Sequence, residues 1–327
     1  MNGWCNMKPL CFVQIVTYNS AKYIKRCIES VINQTYANIK IVVIDNGSQD
    51  ETVALLKNMS FHVYVIENPW NTGFARGHNI GFRQNDGDYI LVLNPDVVLD
   101  ERFIENAIAY MEQNLTVGLL TGKVLRMTPD FQFARTIDST GIVISKTRRA
   151  FDRGQGEEDR GQYDEQKEVF GVSGAAAVYR RRMLEDIKVW DEYFDEDFFA
   201  YKEDVDLSWR ARLKGWTCHY CPEAIAYHVR GWKQGSRKSQ PLFIRIHSMK
   251  NRLLMMIKND SFEGFLRHLP YIIIYEMGTF FYCLIFDFKA LKYIIEVMRL
   301  LPDALKKRKA IQSTRKVNDE NIYRFFK

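Results

Sequence analysis

Short β-branched runs alternate with stretches of helical periodicity through the first third of the chain, and this alternation restricts the fold more than any other feature. "CFVQIV" (11–16), "IKIVVID" (39–45), "FHVYVIE" (61–67) and "YILVLN" (89–94) are apolar at nearly every position, the pattern of strands covered on both faces. Between them apolar residues recur at helical spacing. Ile24, Cys27, Ile28, Val31 and Ile32 follow Ser20, a candidate N-cap, and further helices are expected over 50–58, 74–84 and 101–113. A β-α-β-α-β-α-β series predicts an α/β fold with a mostly parallel central sheet and helices on both sides.

Sheets of this kind bind ligands outside the carboxyl ends of their strands. Each expected strand end here is polar: Thr17-Tyr18-Asn19, Asp45-Asn46-Gly47-Ser48, Asn68, and Asn94-Pro95-Asp96. One such end is an ordinary turn, whereas four on one edge predict a site. The turn after the first strand reads "VTYNSAKYI" and has no glycine, which excludes the G-x-G-x-x-G cradle of a dinucleotide fold. A bound nucleotide diphosphate would then need another source of positive charge. A divalent cation on Asp96, Mg²⁺ or Mn²⁺, would supply it, since these ions bridge carboxylates to phosphate oxygens.

The charge is unevenly spread. Residues 224–259 carry eight Lys/Arg and no Asp/Glu, and "ALKKRKAIQSTRKVN" is also purely basic. Between Asp191 and Asp206 eight acids face one lysine. The basic rear half suits anionic lipid headgroups or a phosphorylated substrate. Nucleic acid is disfavoured, because no helix-turn-helix, zinc-finger or RNA-binding signature accompanies the charge. Six scattered cysteines, with a single C-x-x-C at Cys218 and Cys221, are expected to be reduced thiols. No N-terminal run reads as a signal peptide, so a cytoplasmic location is expected.

Six segments in order, "VTYNSAKYIKRCIESVINQTYANIKIVVIDNGSQDET", "ENPWNTGFARGHNIGF", "LNPDVVLD", "GVSGAAAVYRRRML", "FFAYKEDVDLSWRARLKGW" and "YHVRGWKQGS", resemble family 2 glycosyltransferases of GT-A fold, in particular the bacterial rhamnosyltransferase-like subgroup. The resemblance covers roughly residues 10–240. It implies a GT-A domain over 8–245, with a Rossmann-like nucleotide-binding half, and a basic helical, membrane-associated segment over 246–327.

By that resemblance Thr17, Asn19, Asp45 and Ser48 line a nucleotide pocket, with Asp45 accepting from the imide N–H of uracil or thymine. The alternative for Asp45 and Ser48 is an Asx-type turn. Asn71, Gly73, Arg76 and Asn79 follow the third strand, where Arg76 would pair with phosphate, or stand as a solvated helix residue. Asn94 and Asp96 match the D-x-D position with the first acid replaced by Asn; Asp96 and His228 would ligate the metal. Arg230, with Lys233 and Arg237, would face the diphosphate from a loop containing Gly231, Gly235 and Ser236.

In "DEDFFAYKEDVDLSWRARLKGW" the apolar face of Leu207, Trp209 and Leu213 places Glu203, Asp204 and Asp206 at a helix N-terminus, where carboxylates are favoured. Phe198, Phe199 and Tyr201 precede them and would desolvate an acid, making a better base. The resemblance assigns Asp204 as the general base of an inverting transfer, with Glu203 and Asp206 holding the acceptor or bracing the loop. Gly174, in the small-residue stretch "GVSGAAAVY", would let the acceptor approach backbone; tight helix packing is the alternative.

"LPYIIIYEMGTFFYCLIF" (269–286) approaches a membrane span in length but contains Glu276 and Gly278, so an interfacial or core helix is expected. The expected partners are a nucleotide-diphosphate sugar such as dTDP-L-rhamnose, a polysaccharide or lipid-diphosphate-linked acceptor and the inner face of the cell membrane; a homodimer stays open. The alternatives are a UDP-hexose or UDP-galactofuranose donor, and an inactive scaffold, which Asn94 keeps in play.

Overall fold

The computed structural model describes residues 8–59, 63–230 and 240–327. The alternation begins with β1 (Cys11–Thr17), α1 (Ile24–Ile32), β2 (Ile39–Asp45), α2 (Thr52–Asn58), β3 (Val63–Glu67), α3 (Gly73–Gln84) and β4 (Tyr89–Leu93). It continues through β5 (Val97–Leu99), α4 (Phe103–Gln113), β6 (Val117–Met127), β7 (Phe133–Ser139), β8 (Ile142–Ile144) and β9 (Ala150–Asp152). Then come β10 (Ala176–Arg180), α5 (Arg181–Ile187), α6 (Glu203–Leu213), β11 (Thr217–His228), α7 (Leu242–Asn259), α8 (Phe262–Phe286), α9 (Lys292–Ser313) and α10 (Asp319–Tyr323).

Ser20 does not cap α1 through its side chain. Its hydroxyl donates to the carbonyl of Tyr18, and its own carbonyl accepts from the N–H groups of Tyr23 and Ile24. A backbone turn leads into the helix instead.

Among the described residues nine strands form one mixed sheet, ordered β3-β2-β1-β4-β10-β6-β11-β5, with β7 added beside β6. The strands β1 to β4 pair in parallel and make the Rossmann-like half. The small-residue stretch enters the sheet as β10, antiparallel between β4 and β6. Beyond it β11 runs parallel to β6 and antiparallel to β5.

The sheet is apolar on both faces because both are covered. On one side Ile28, Val31, Phe103 and Ile108 of α1 and α4 pack on Val13, Val43 and Leu91; on the other, Phe82, Met183 and Leu207 of α3, α5 and α6 pack on Ile90, Val92 and Tyr179. A third cluster joins Phe170 and Trp209 to Met255 and Val297 of the C-terminal helices and to Phe326 beyond the last of them. Trp209 is fully buried there. A side chain of that size contributes about 4–6 kcal/mol at about 25 cal/mol per Å² of apolar area removed from water.

The helix α6 is buried almost all round despite its charges, and its buried Asp206, Arg210 and Arg212 each have a partner. The guanidinium of Arg210 donates to Asp206 and to the carbonyls of Ile187 and Tyr193, and Arg212 donates to the carbonyl of Phe170. Such pairing is the condition for placing charge in a core. The boundary expected at residue 245 falls inside α7. No disulfide joins the described cysteines, and Cys11, Cys27, Cys218, Cys221 and Cys283 are all buried.

Candidate active site

Parallel pairing brings the polar strand ends to one edge. Thr17 stands opposite Asp45, and Asp45 opposite Glu67. Asp45 is buried, and its carboxylate is the acceptor of a turn: Oδ2 takes the N–H groups of Gly47 and Ser48 at 3.1 and 2.9 Å, and Oδ1 takes the Ser48 hydroxyl at 2.5 Å. The Asx-type turn is therefore formed. Ser48 Oγ in turn accepts from the backbone N–H of Asn19, whose side chain accepts from Gln49. Thr17 Oγ1 is buried with no hydrogen-bond partner among the described residues, so one polar atom at this edge is left unsatisfied.

Asn46, not singled out from the sequence, is the hub of the adjoining loop. Its amide donates to the Gly73 carbonyl and accepts from Asn68 and Thr72. Asn71 caps the same turn by accepting from the Gly73 N–H. Gly73 has φ +86°, and a Cβ there would lie 2.7 Å from Phe199, so what its missing side chain admits is the loop carrying the acids.

One expected donor contact, Asn79, is engaged elsewhere. Asn79 is fully buried, with its amide donating to the carbonyl of Phe194 and accepting from the Phe194 N–H. It positions the acidic segment. Arg76 is exposed and lies 3.7 Å from Glu196.

The pair Asp96 and His228 is assembled by sheet register. His228 ends β11 opposite Val97 of β5, and the N–H of Val229 donates to the Asp96 carbonyl. His228 Nε2 comes within 3.4 Å of Asp96 Oδ1, while Nδ1 is 2.8 Å from Asp138 Oδ2. Burial alone would lower the pKa of this imidazole, but its hydrogen bonds to Asp138 and Asp96 and the charges of both outweigh burial and raise it to about 9. Asp138 also binds Arg230 at 2.8 Å, and Arg230 reaches Asp152 at 2.8 Å. The expected loop partners Gly231, Lys233, Gly235, Ser236 and Arg237 lie outside the described residues.

This donor set fits a divalent cation. A carboxylate and an imidazole nitrogen converge at about the separation of neighbouring ligands on one ion with bonds of about 2.1 Å. A further carboxylate fixes the ring from behind, the usual support of a metal-binding histidine. Among the described residues no group of three His, Cys, Asp or Glu converges that could hold a metal ion by itself.

The acids of α6 reach the same edge through β10. The N–H of Asn94 donates to the Ala175 carbonyl at 2.9 Å, and the N–H of Gly174, one residue earlier, donates to Asp204 Oδ2 at 3.0 Å. The other Asp204 oxygen accepts from the Val205 N–H at 2.8 Å. Glu203 is buried, with Oε2 lacking a hydrogen-bond partner among the described residues. Burial, and then the charge of Asp204, push the Glu203 carboxyl well above the ordinary range. Burial also raises Asp204, with the Gly174 N–H opposing it.

Asp206 takes the bracing role: it is fully buried and held by Arg210 at 3.0 Å, Asn259 at 2.7 Å and Lys258 at 2.9 Å. The loop before α6 is backbone-strained, since Phe199, Tyr201 and Lys202 all have positive φ (63°, 74° and 72°). Asn251 of α7 secures it by donating to the carbonyls of Phe198, Ala200 and Tyr201 at 3.0, 2.8 and 2.7 Å. A surface hollow of about 330 Å³ lined by Phe12, Lys40, Tyr64 and Asn85 has no carboxylate in its lining. It offers none of this chemistry.

The profile of glycosyl transferase family 2 matches residues 12–188. An uncharacterized glycosyltransferase of Haemophilus influenzae is 37% identical over 109 residues, 32% of this chain and 34% of that protein. The poly-β-1,6-N-acetyl-D-glucosamine synthase of Staphylococcus epidermidis is 24% identical over 238 residues, 69% of this chain and 53% of that protein. The chain thus spans from about a third to about half the length of these relatives. Among solved structures, S. aureus TarS 1–349 superposes with a TM-score of 0.58 at 17% identity, covering 94% of this chain and 83% of that one. GalNAc-T7, solved with UDP, GalNAc and Mn²⁺, gives a TM-score of 0.60 at 15% identity, covering 76% and 48%. The α/β sheet with its flanking helices is GT-A-like.

Proposed function

This chain belongs to glycosyl transferase family 2, and from that premise we propose that it transfers a sugar, with inversion, from a nucleotide-diphosphate donor to a cell-surface polysaccharide or a lipid-linked glycan. The observation that carries the reading is the short bridge between two halves of a site. Asp96 and His228 stand on one side of Asn94, and Asn94 is tied through Ala175 to Gly174, which holds Asp204.

In the proposed reaction Asp204 takes the proton of the acceptor hydroxyl, which attacks the anomeric carbon opposite the departing diphosphate. Its elevated pKa strengthens it as a base. The Gly174 N–H keeps the carboxylate oriented, with Glu203 preceding it on the same helix end. A divalent cation, Mg²⁺ or Mn²⁺, held by Asp96 and His228 would neutralise the leaving diphosphate. Thr17, Asn19 and Ser48 would contact the nucleotide, and Asp45 would accept from a pyrimidine imide N–H through the lone pairs left by its turn. The inner face of the cell membrane is the proposed location, where lipid-linked acceptors are displayed.

The first donor to test is dTDP-L-rhamnose. A second reading, a UDP-linked hexose or N-acetylhexosamine, is favoured by the likeness to the N-acetylglucosamine polymer synthase and to TarS, which has been solved with UDP-GlcNAc. Hydrolysis of a panel of nucleotide sugars with and without Mn²⁺ tests both. Turnover of one pyrimidine donor that needs the metal is expected. No turnover of any donor would return the chain to the inactive-scaffold alternative.

A further inference from the structure

The helix α8 is 25 residues long, and its most apolar 18-residue window has a mean hydropathy of 1.6, yet only 17% of that window is buried. Ile274, Met277, Phe281 and Ile285 are 72, 54, 50 and 68% exposed, and the face continues through Phe288 and, on α9, Ile295 at 70 and 69%. From Pro270 to Phe288 every outward position is uncharged, and Tyr271 alone offers a hydroxyl. The one acid in this stretch before Asp287, Glu276, turns inward to pair with Arg252. Single exposed apolar residues are common on soluble proteins, but a continuous face of this length is not.

We propose that this face of α8, with the start of α9, is a membrane-docking surface that lies in the plane of an anionic bilayer. Two observations favour lipid over a second protein copy. Protein interfaces carry about one hydrogen bond per 100–200 Å², and this face has almost no group to make one. Exposed cations also flank it, Arg267 near its start, 3.9 Å from Glu263, and Lys289, Lys292 and Arg299 at its far end, where the three outnumber the one acid, Glu296, that Lys292 and Arg299 share, and would meet acidic headgroups. An in-plane helix needs an apolar side and a side packed on protein, and α8 has both: Gly264, His268, Ile272, Thr279 and Cys283 face inward.

Docking gives a physical surface to the inner-leaflet location, and it rests on the proposed function only for the identity of the acceptor. The test is co-sedimentation of the full chain with phosphatidylcholine vesicles containing about 30% phosphatidylglycerol, against phosphatidylcholine alone, with donor hydrolysis measured on the same samples. Wild type is expected to partition at least tenfold more strongly to the anionic vesicles and to be released by alkaline carbonate. The triple variant Ile274→Ser, Phe281→Ser, Ile285→Ser, and separately Phe281→Glu, should lose at least tenfold in binding while keeping hydrolysis and thermal midpoint. Wild type left in the supernatant, variants that bind as well as wild type, carbonate-resistant association, or a dimer that the variants abolish would each overturn the proposal. Binding without hydrolysis of any donor would instead count against the proposed reaction alone.

Discussion

Asp138 lies 2.8 Å behind the His228 ring, on the nitrogen opposite the one that faces Asp96. A carboxylate there fixes which imidazole nitrogen is presented to a cation and strengthens it as a donor. Asp138→Asn is expected to weaken Mn²⁺ binding by about 10- to 100-fold, the usual cost of losing such support. Titration of Mn²⁺ by electron paramagnetic resonance in the presence of a nucleoside diphosphate reads this directly. Unchanged affinity would separate Asp138 from metal binding.

Asp204→Asn removes the proposed base and leaves a side chain that can still accept from Gly174. Transfer is expected to fall by about 10²- to 10⁴-fold, the range that general-base catalysis contributes. Nucleotide affinity, measured by calorimetry, should stay within about twofold. A variant that keeps full turnover would remove Asp204 from the reaction.

The pH profile follows from the same carboxylates. Burial raises both Glu203 and Asp204, and the working base is the deprotonated form. Activity should therefore decline as pH falls, starting above the ordinary carboxylate value of about 4. A log kcat/KM profile with its acid limb at or below pH 4 would contradict this.

Asn251 is the single side chain that holds three carbonyls of the strained loop in front of the acids. Asn251→Ala leaves the Phe198 carbonyl its bond from the Ala200 N–H but strands those of Ala200 and Tyr201, at a cost of about 1–3 kcal/mol each where water does not replace the amide. The expected result is a lower unfolding midpoint together with a fall in kcat larger than the change in nucleotide Kd. Equal changes in kcat and Kd would mean that the loop does not position the base.

Buried ion pairs join the same loop to the C-terminal helices. Lys258 contacts Asp195 and Asp206, and Lys307 reaches Asp195 at 2.6 Å, Asp197 at 2.9 Å and Glu192 at 3.0 Å. Burial would raise the Asp195 carboxyl, but Lys258 and Lys307 overcome it and hold it far below the usual range. Its stabilising contribution is thus complete above the unfolded value of about 4 and is lost as pH falls toward the folded one. Lys307→Met should cost about 3 kcal/mol in urea unfolding at pH 7, because it leaves the buried Asp195 with Lys258 alone, with a smaller difference from wild type in acid. A constant difference across pH would exclude the ionic origin.

The parts visible in the sequence were those written in local pattern. β-branched runs gave the strands, and polar residues at their ends marked the edge that the parallel pairing then assembled. Asp96 stands at one of those polar strand ends, whereas His228, Glu203 and Asp204 are assigned by the likeness to the family's motifs, because a lone histidine and acids at a helix N-terminus are locally ordinary. Asp138, Asn46, Asn251, Lys258 and Lys307 had no such mark, since each works through contacts set by tertiary packing; Asp138 is 90 positions from His228. The stretch at 171–179 was ambiguous because alanines suit a helix, and only its place between β4 and β6 makes it a strand. Asn79 and Asp206 sat where a ligand contact was expected, yet burial turned both to holding neighbouring backbone and side chains.

The anchoring of the acidic loop by Asn251, Lys258 and Lys307 limits how the chain can be shortened. Trimming it after residue 245 would delete all three anchors, uncover Trp209 and release three left-handed residues from their restraint. Such a fragment would keep every nucleotide-edge residue and still lack a fixed base. The rear helices are therefore scaffolding for the chemistry, and swapping them between relatives would transplant more than a surface.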